Sequence, residues 1–191
     1  AVMRLGINKV RTTALAIATK QIVSADSMSV FMDLAQRLWD HSLRTASAAY
    51  VISKRLTHYN PDEAMLAGMI HDIGAFYMLY RAAQYEELRS RPETVIYLVT
   101  QWHEHIGDAL LGSLGMPDDI IEAVREHDHP RPISKRPRTL ADIIYISNLV
   151  AGGIFERQYM DGVIDDQTIE NLDVNINDLI DEIDIYEREI R

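Results

Sequence analysis

The stretch Gly68-Met69-Ile70-His71-Asp72-Ile73-Gly74 places a histidine and an aspartate side by side between two glycines. An imidazole nitrogen is a good ligand for Zn, Fe, Ni and Cu, whereas a carboxylate prefers harder ions. The carboxylate of Asp72 has two oxygens, so it can also bridge two metals. The pair therefore predicts two ligands that point at one metal centre.

Further histidines support this interpretation, because they lie on apolar helical faces and are expected to point inward: His41, His103 and His127. Any one of them alone is more often a buried histidine with a hydrogen-bonded partner. Several unpaired imidazoles in one core would be costly, however, and a shared cation removes that cost. Helical bundles assemble metal sites in this way, from side chains on facing helices. His58, His105 and His129 are instead expected to face water.

The chain is predicted to be all-α. Apolar residues recur at helical spacing in five ranges, namely 7–24, 28–58, 95–114, 119–127 and 139–155. Asn60-Pro61-Asp62 is typical of a helix start, and that helix is expected to end near the His-Asp pair. Gly74 is predicted to break the chain before a helix over 76–88. No segment shows sustained strand alternation.

Composition narrows the class of protein. A chain of 191 residues with 47% hydrophobic residues fits one domain, or one domain with an appendage. The absence of cysteine excludes disulfides and thiolate zinc sites, and it fits a reducing cytoplasm. No apolar run reaches the roughly 18 residues needed to cross a membrane, and the first residues lack the apolar core of a signal peptide.

The net charge of −10 is concentrated at the C-terminal end. Residues 161–191 hold 11 acidic and 2 basic residues, so the remainder is close to neutral. This distribution does not favour general nucleic-acid binding, which needs a basic face. A solvated helix is the favoured interpretation of the acidic end and a partner-binding tail the alternative. Apolar spacing there also allows a helix docked onto the body or onto a partner, through Ile176, Leu179, Ile180, Ile183 and Ile185.

Three blocks of the sequence together resemble the HD superfamily. The first joins Trp39-Asp40-His41-Ser42 to the His71-Asp72 stretch. The second is His103-Glu104-His105-Ile106-Gly107-Asp108-Ala109-Leu110-Leu111, followed by Gly115-Met116-Pro117, and the third is Glu126-His127-Asp128-His129-Pro130. Their order and spacing are most similar to the HDOD domain, a relative of the HD-GYP phosphohydrolases.

The resemblance covers about residues 1–155 and implies an HD-domain-like helical bundle, with residues 156–191 as an acidic C-terminal helical extension. Leu5-Gly6-Ile7-Asn8-Lys9-Val10-Arg11 also matches the HDOD pattern, where this stretch lies inside the domain. We therefore expect that the family's N-terminal helices are absent from this chain.

The resemblance also implies a site for one or two divalent ions, Fe, Mn, Ni or Zn, with these ligands: His41, His71, Asp72, His103, His127, Asp128 and Asn148. Three positions depart from the pattern of active members. Asn148 replaces a final Asp and Asp128 replaces the second histidine of a His-His pair. Ala75 stands where active phosphodiesterases often carry a lysine, and no Gly-Tyr-Pro follows His129. A neutral Asn148 would hold a metal more weakly.

Three functions remain open at this point. The first is a bacterial signal-transduction domain that regulates a signalling partner by protein contact, and it is favoured. The second is a metal-dependent phosphohydrolase of a nucleotide or cyclic dinucleotide, with Asp72 as the catalytic residue. The third is a nucleotide-binding sensor without turnover. Ala75 and Asn148 weigh against efficient catalysis, because positioned charge is often the largest catalytic contribution.

A basic loop follows His127 and can attract phosphate, through Arg131, Lys135, Arg136 and Arg138. The commoner interpretation of such a run is a solvated connector, stiffened here by prolines.

Overall fold

The structure is a computed structural model, and it describes residues 7–23, 26–125, 127–129, 131–152 and 169–191. The described residues contain helices and no strand, which confirms the all-α prediction. A 3-10 helix spans Asp26–Phe31, and the α-helices are α1 Ile7–Val23, α2 Met32–Leu56, α3 Pro61–Ile70, α4 Ile73–Ala82, α5 Glu86–Arg89, α6 Pro92–Ser113, α7 Asp118–Arg125, α8 Leu140–Ala151 and α9 Ile176–Ile190. Within these residues, no helix is both long enough and apolar enough to cross a membrane.

The helix predicted over 76–88 is two helices, α4 and α5. Two further boundaries that were predicted wrongly lie at the histidines. The break falls at His71-Asp72 rather than at Gly74, which lies inside α4. Helix α7 ends at Arg125, so His127 lies in a bend and not in the last turn of the helix. In each case the chain leaves the helix where a side chain must turn inward, which apolar periodicity does not report.

The long helix α2 passes through two apolar clusters. Its first half packs with α4 and the start of α6, around Leu38, Phe76 and Val99. Its second half packs with α3, α7, α8 and α9, around Ile52 and the buried isoleucines of α8. The histidines of α2, α6 and the α3–α4 turn lie in sequence between members of these clusters. The polar site is therefore positioned where the two apolar cores meet.

Two glycines let the helices come close enough to bring the His-Asp turn into this position. A Cβ at Gly68 would lie 2.9 Å from Ala46 Cα on α2. A Cβ at Gly74 would lie 1.9 Å from the carbonyl oxygen of His103 and 2.6 Å from the backbone nitrogen of Gly107, both on α6. The turn between α3 and α4 is thus held between α2 and α6 by direct backbone contact.

The acidic C-terminal helix α9 docks onto α2. Leu179 and Ile183 are fully buried, and the ring of Tyr186 stacks on Tyr50 with centroids 4.1 Å apart. Arg44 of α2 donates to Asp184 at 2.8 Å and to Glu187 at 2.9 Å. The expectation of a solvated helix was therefore wrong for this face, because the burial of its apolar stripe outweighs the repulsion among its carboxylates.

Candidate metal centre

Four histidines and one aspartate converge from separate parts of the fold. His41 lies in the middle of α2, His71 and Asp72 form the α3–α4 turn, His103 lies on α6, and His127 follows α7. All five are buried, with 7% or less of each residue exposed. His58, His105 and His129 are exposed, as the sequence predicted.

Backbone carbonyls fix the orientation of three of these rings. His71 Nδ1 lies 2.7 Å from the carbonyl oxygen of Gly68, and His127 Nδ1 lies 2.7 Å from that of Val124. His103 Nδ1 lies 3.0 Å from the carbonyl oxygen of Val99. Each Nδ1 can only donate to its carbonyl, so in the neutral ring the lone pair is on Nε2. This is the arrangement that prepares a histidine for metal binding through Nε2.

The Nε2 atoms meet in pairs. His41 Nε2 lies 3.2 Å from His71 Nε2, and His103 Nε2 lies 3.3 Å from His127 Nε2. In the second pair both Nδ1 atoms donate to carbonyl oxygens, so neutral His103 and His127 would place two lone pairs face to face, and a cation or a proton between them removes this repulsion. In the first pair a neutral His41 can donate from Nε2 to the lone pair of His71. The Nδ1 of His41 is a buried polar atom without a hydrogen-bond partner among the described residues, so this ring is held by its Nε2 side.

Asp72 joins the two pairs, with one carboxylate oxygen on each. Its Oδ2 lies 3.3 Å from His71 Nε2 and 3.9 Å from His41 Nε2. Its Oδ1 lies 3.3 Å from His127 Nε2 and 3.6 Å from His103 Nε2. The carboxylate is therefore placed as a bridge between two sets of nitrogen ligands.

Asp128 and Asn148 complete one side of the centre. Asp128 Oδ2 lies 3.1 Å from His103 Nε2, and its Oδ1 lies 3.4 Å from His127 Nε2. The amide nitrogen of Asn148 donates to Asp128 Oδ1 at 2.8 Å and to the carbonyl oxygen of His127 at 3.3 Å. Burial lowers the pKa of His41, and the side chain of Asn148 is among the groups that oppose this effect. Asn148 therefore lies close to both halves of the centre.

The charges of the centre follow from burial and from its carboxylates. Burial lowers the pKa of His71 to about 3, so this ring is neutral. Burial would also lower the pKa of His127, but Asp128 and Asp72 raise it to about 10. Burial would raise the pKa of Asp72, yet the positive charge of His127 and its hydrogen bond to the carboxylate hold that pKa well below its usual range. In the absence of a metal, a proton on His127 therefore supplies the positive charge that balances the carboxylates.

The donor set fits divalent metal ions. His41, His71 and Asp72 bring ligand atoms within 4.8 Å of one another, and so do Asp72, His103 and His127. Neutral imidazole nitrogens with carboxylate oxygens suit Fe, Mn, Ni or Zn. The carboxylate of Asp72 between the two pairs of imidazoles, and the Nε2 atoms of His103 and His127 that face each other, are compatible with a divalent cation at this position. The sequence predicted these residues as ligands of one centre, and their role as metal ligands stays a prediction.

Glu104 is a buried residue of the centre that sequence reasoning missed. Its Oε1 accepts a hydrogen bond from the backbone N–H of Asp128 at 3.0 Å and lies 3.8 Å from His127 Nδ1. Its Oε2 lies 3.2 Å from His129 Nδ1. Glu104 therefore holds the bend that carries His127 and Asp128. The run His103-Glu104-His105 could have indicated this role, but a charged residue between two histidines is ordinarily expected to face solvent.

The basic loop does not lie over this centre. Arg131 faces Asp142 of α8, with its guanidinium nitrogen 3.9 Å from the carboxylate. Lys135, Arg136 and Arg138 line a cavity with residues 56–59, at the C-terminal end of α2. Along that helix, His41 and Leu56 are separated by about 22 Å. A phosphate held by these three side chains would not reach the metal centre.

The comparison with protein families identifies the chain. The HDOD domain model matches residues 1–130. The chain belongs to the HDOD family. This HDOD chain carries Asn148 and α8 beyond the matched range, although α8 is part of the same core. The division at residue 155 stays a prediction.

A solved structure has the same fold as this HDOD chain. It is a crystal structure from Shewanella amazonensis SB2B of a protein assigned as a metal-dependent phosphohydrolase. The TM-score is 0.71 at 19% sequence identity, and the match covers 100% of this chain and 71% of the other. At this identity the similarity shows the fold, an HD-type helical bundle. No curated protein matches the chain.

Proposed function

We propose that this HDOD chain is a bacterial signal-transduction domain that holds one or two divalent metal ions and acts by contact with a signalling partner protein. The observation that carries the proposal is the Asp72 carboxylate, whose two oxygens face two separate pairs of imidazole Nε2 atoms. A cytoplasmic location is part of the proposal, because a chain without cysteine suits a reducing compartment.

In this proposal each half of the centre holds one ion. His41, His71 and Oδ2 of Asp72 hold the first, with Asn148 beside it. His103, His127, Asp128 and Oδ1 of Asp72 hold the second. The second ion has Asp128 as an additional carboxylate ligand. The first ion has only the neutral side chain of Asn148 beside it, whose amide hydrogens are donated to Asp128 and His127. The first ion is therefore held by less negative charge than the second. Glu104 positions the second half through the backbone of Asp128.

Burial favours regulation over turnover. The imidazoles and Asp72 are 1–7% exposed, and Asp128 is the most open ligand, with 18% of its side chain accessible. A phosphoester needs space beside its metals and a cation to balance its charge. Ala75 is fully buried, so the position that carries a lysine in active relatives offers only a methyl group to the core.

The second candidate is a metal-dependent phosphohydrolase, and the nearly complete ligand set favours it. A bound divalent metal lowers the pKa of a water molecule and so supplies a nucleophile near neutral pH. Asp72 would be the catalytic residue that orients this water, and the buried rings would exclude bulk solvent. The assignment of the solved structure with this fold supports the same candidate.

Turnover of a general phosphodiester separates the two candidates. The metal-loaded chain is expected to hydrolyse bis(p-nitrophenyl) phosphate no faster than the same metal in buffer, because substrate cannot approach the buried centre. The assay is run in parallel with Fe, Mn, Ni and Zn. Steady release of p-nitrophenol that is lost in His71→Ala and retained in His105→Ala would establish the phosphohydrolase and overturn regulation as the sole function.

A further inference from the structure

The basic loop forms one wall of a groove at the far end of α2. The groove has a volume of about 820 Å³ and lies between residues 56–59, at the C-terminal end of α2, and residues 134–138, which precede α8. Ligand sites of small molecules commonly have volumes of about 300–1,000 Å³. The groove is therefore large enough for a phosphorylated metabolite.

The charge of the groove is opposite to that of the chain. Lys135, Arg136 and Arg138 line it, and Asp173 is the carboxylate among its lining residues. Arg136 forms an ion pair with Asp173 at 2.9 Å, whereas no ion pair involves the side chains of Lys135 or Arg138 within the described part of the chain. In a protein of net charge −10, this concentration of cations sets up a local field that attracts anions.

Hydrogen bonds fix both walls. Ser53 donates to the carbonyl oxygen of Tyr59 at 2.9 Å, which holds the turn after α2. On the other wall, the backbone N–H of Arg138 donates to Asp142 at 2.9 Å, and the backbone N–H of Asp173 donates to the carbonyl oxygen of Lys135 at 2.9 Å. The cationic side chains therefore project from a backbone that does not need to rearrange before it binds a ligand.

We propose that this groove binds a phosphate-bearing small molecule, at a site separate from the metal centre. The planar guanidinium groups of Arg136 and Arg138 can each donate two hydrogen bonds to a phosphate, and Lys135 adds a point charge. Asp173 acts as an internal competitor, because its carboxylate occupies Arg136. The pair is exposed on both sides, so an incoming phosphate displaces it at little cost.

Pyrophosphate is the probe that tests the groove, titrated by calorimetry into the full chain after chelation of metals. We expect saturable binding that weakens as salt is raised. The double variant Lys135→Gln/Arg138→Gln is expected to weaken binding at least about tenfold, because it removes two charged donors. Asp173→Asn is expected to strengthen it by about threefold, because the variant removes the competing negative charge.

Arg81→Gln is the matched control, since it removes one exposed cation from α4, away from the groove, and it should leave pyrophosphate affinity unchanged. Absence of binding by the native chain at millimolar pyrophosphate would overturn the proposal. So would an unchanged affinity in Lys135→Gln/Arg138→Gln, or a weaker affinity in Asp173→Asn. These outcomes do not depend on metal occupancy, so they are independent of the proposed function.

Discussion

Gly74→Ala is expected to lower the free energy of unfolding by about 3 kcal/mol and to remove most bound metal. The added methyl group would lie 1.9 Å from the carbonyl oxygen of His103, and a backbone atom cannot move aside as a flexible side chain can. Overpacking of this kind typically costs about 1–3 kcal/mol, and more where the backbone must shift. Because the same contact positions His103 against Asp72, separation of α4 and α6 also opens the metal centre. Urea unfolding and metal analysis of the purified variant measure the two effects.

Gly112→Ala is the matched control on α6. A Cβ at Gly112 meets no atom within 4 Å, so the substitution has space and removes backbone freedom from the unfolded chain. We expect an unchanged or slightly greater stability, by up to about 1 kcal/mol, and full metal content. If Gly74→Ala unfolded at the same urea concentration as Gly112→Ala, the result would contradict the close backbone contact between α4 and α6 at Gly74.

Metal affinity is expected to fall by at least about tenfold for each pH unit between pH 8 and pH 6. The pKa of His127 is raised to about 10 in the metal-free protein, so at least one proton must leave before Nε2 can bind a metal. The pKa of His103 is also raised, because Asp128 outweighs the opposing effect of burial, and it adds to the dependence as pH falls. Ligand deprotonation couples binding to pH in this way. Calorimetric titration with Zn²⁺ in buffers of different ionisation enthalpy counts the protons released.

The stability of the metal-free protein should follow the same charges. A histidine with a raised pKa stabilises the fold fully below its unfolded pKa, about 6.5, and this contribution of His127 is lost as pH rises through about 10. The lowered pKa of His71, about 3, acts in the other direction, so stability falls as pH drops below about 6.5.

The metal titration tests the protonated state of His127 directly. A metal affinity that did not change between pH 8 and pH 6 would contradict it.

The sequence predicted which residues converge at the candidate centre better than it predicted the contacts that hold them in place. His41 and His103 lie on helices whose apolar faces are long enough to identify the inward side. The family pattern added Asp128 and Asn148. Glu104 was not anticipated, because its burial depends on the bend at His127, and tertiary contacts of this kind leave no periodic signal in the sequence.

Some predictions made from local sequence features differ from the structure, because tertiary packing determines the result at those positions. Gly74 was predicted to break a helix, but its role is to admit the backbone of α6. A solvated helix was the favoured interpretation of the acidic end, but the structure shows the alternative of a helix docked onto the body, where Arg44 and Tyr50 of α2 contact α9. The basic loop follows His127 in the chain, yet it lies beside the end of α2. For this loop, proximity to His127 in the sequence does not mean proximity to the candidate metal centre in the structure.

If Asp72 joins two sets of imidazole ligands around divalent metal ions, the purified chain must contain such ions. The most direct test is the metal content of the purified chain, measured by mass spectrometry beside His71→Ala/Asp72→Ala and the exposed control His105→Ala. We expect one or two Fe, Mn, Ni or Zn ions in the native chain and in the control, and none in the double variant. A native chain that holds no metal after reconstitution with each of these ions, while still folded, would contradict a metal site at Asp72.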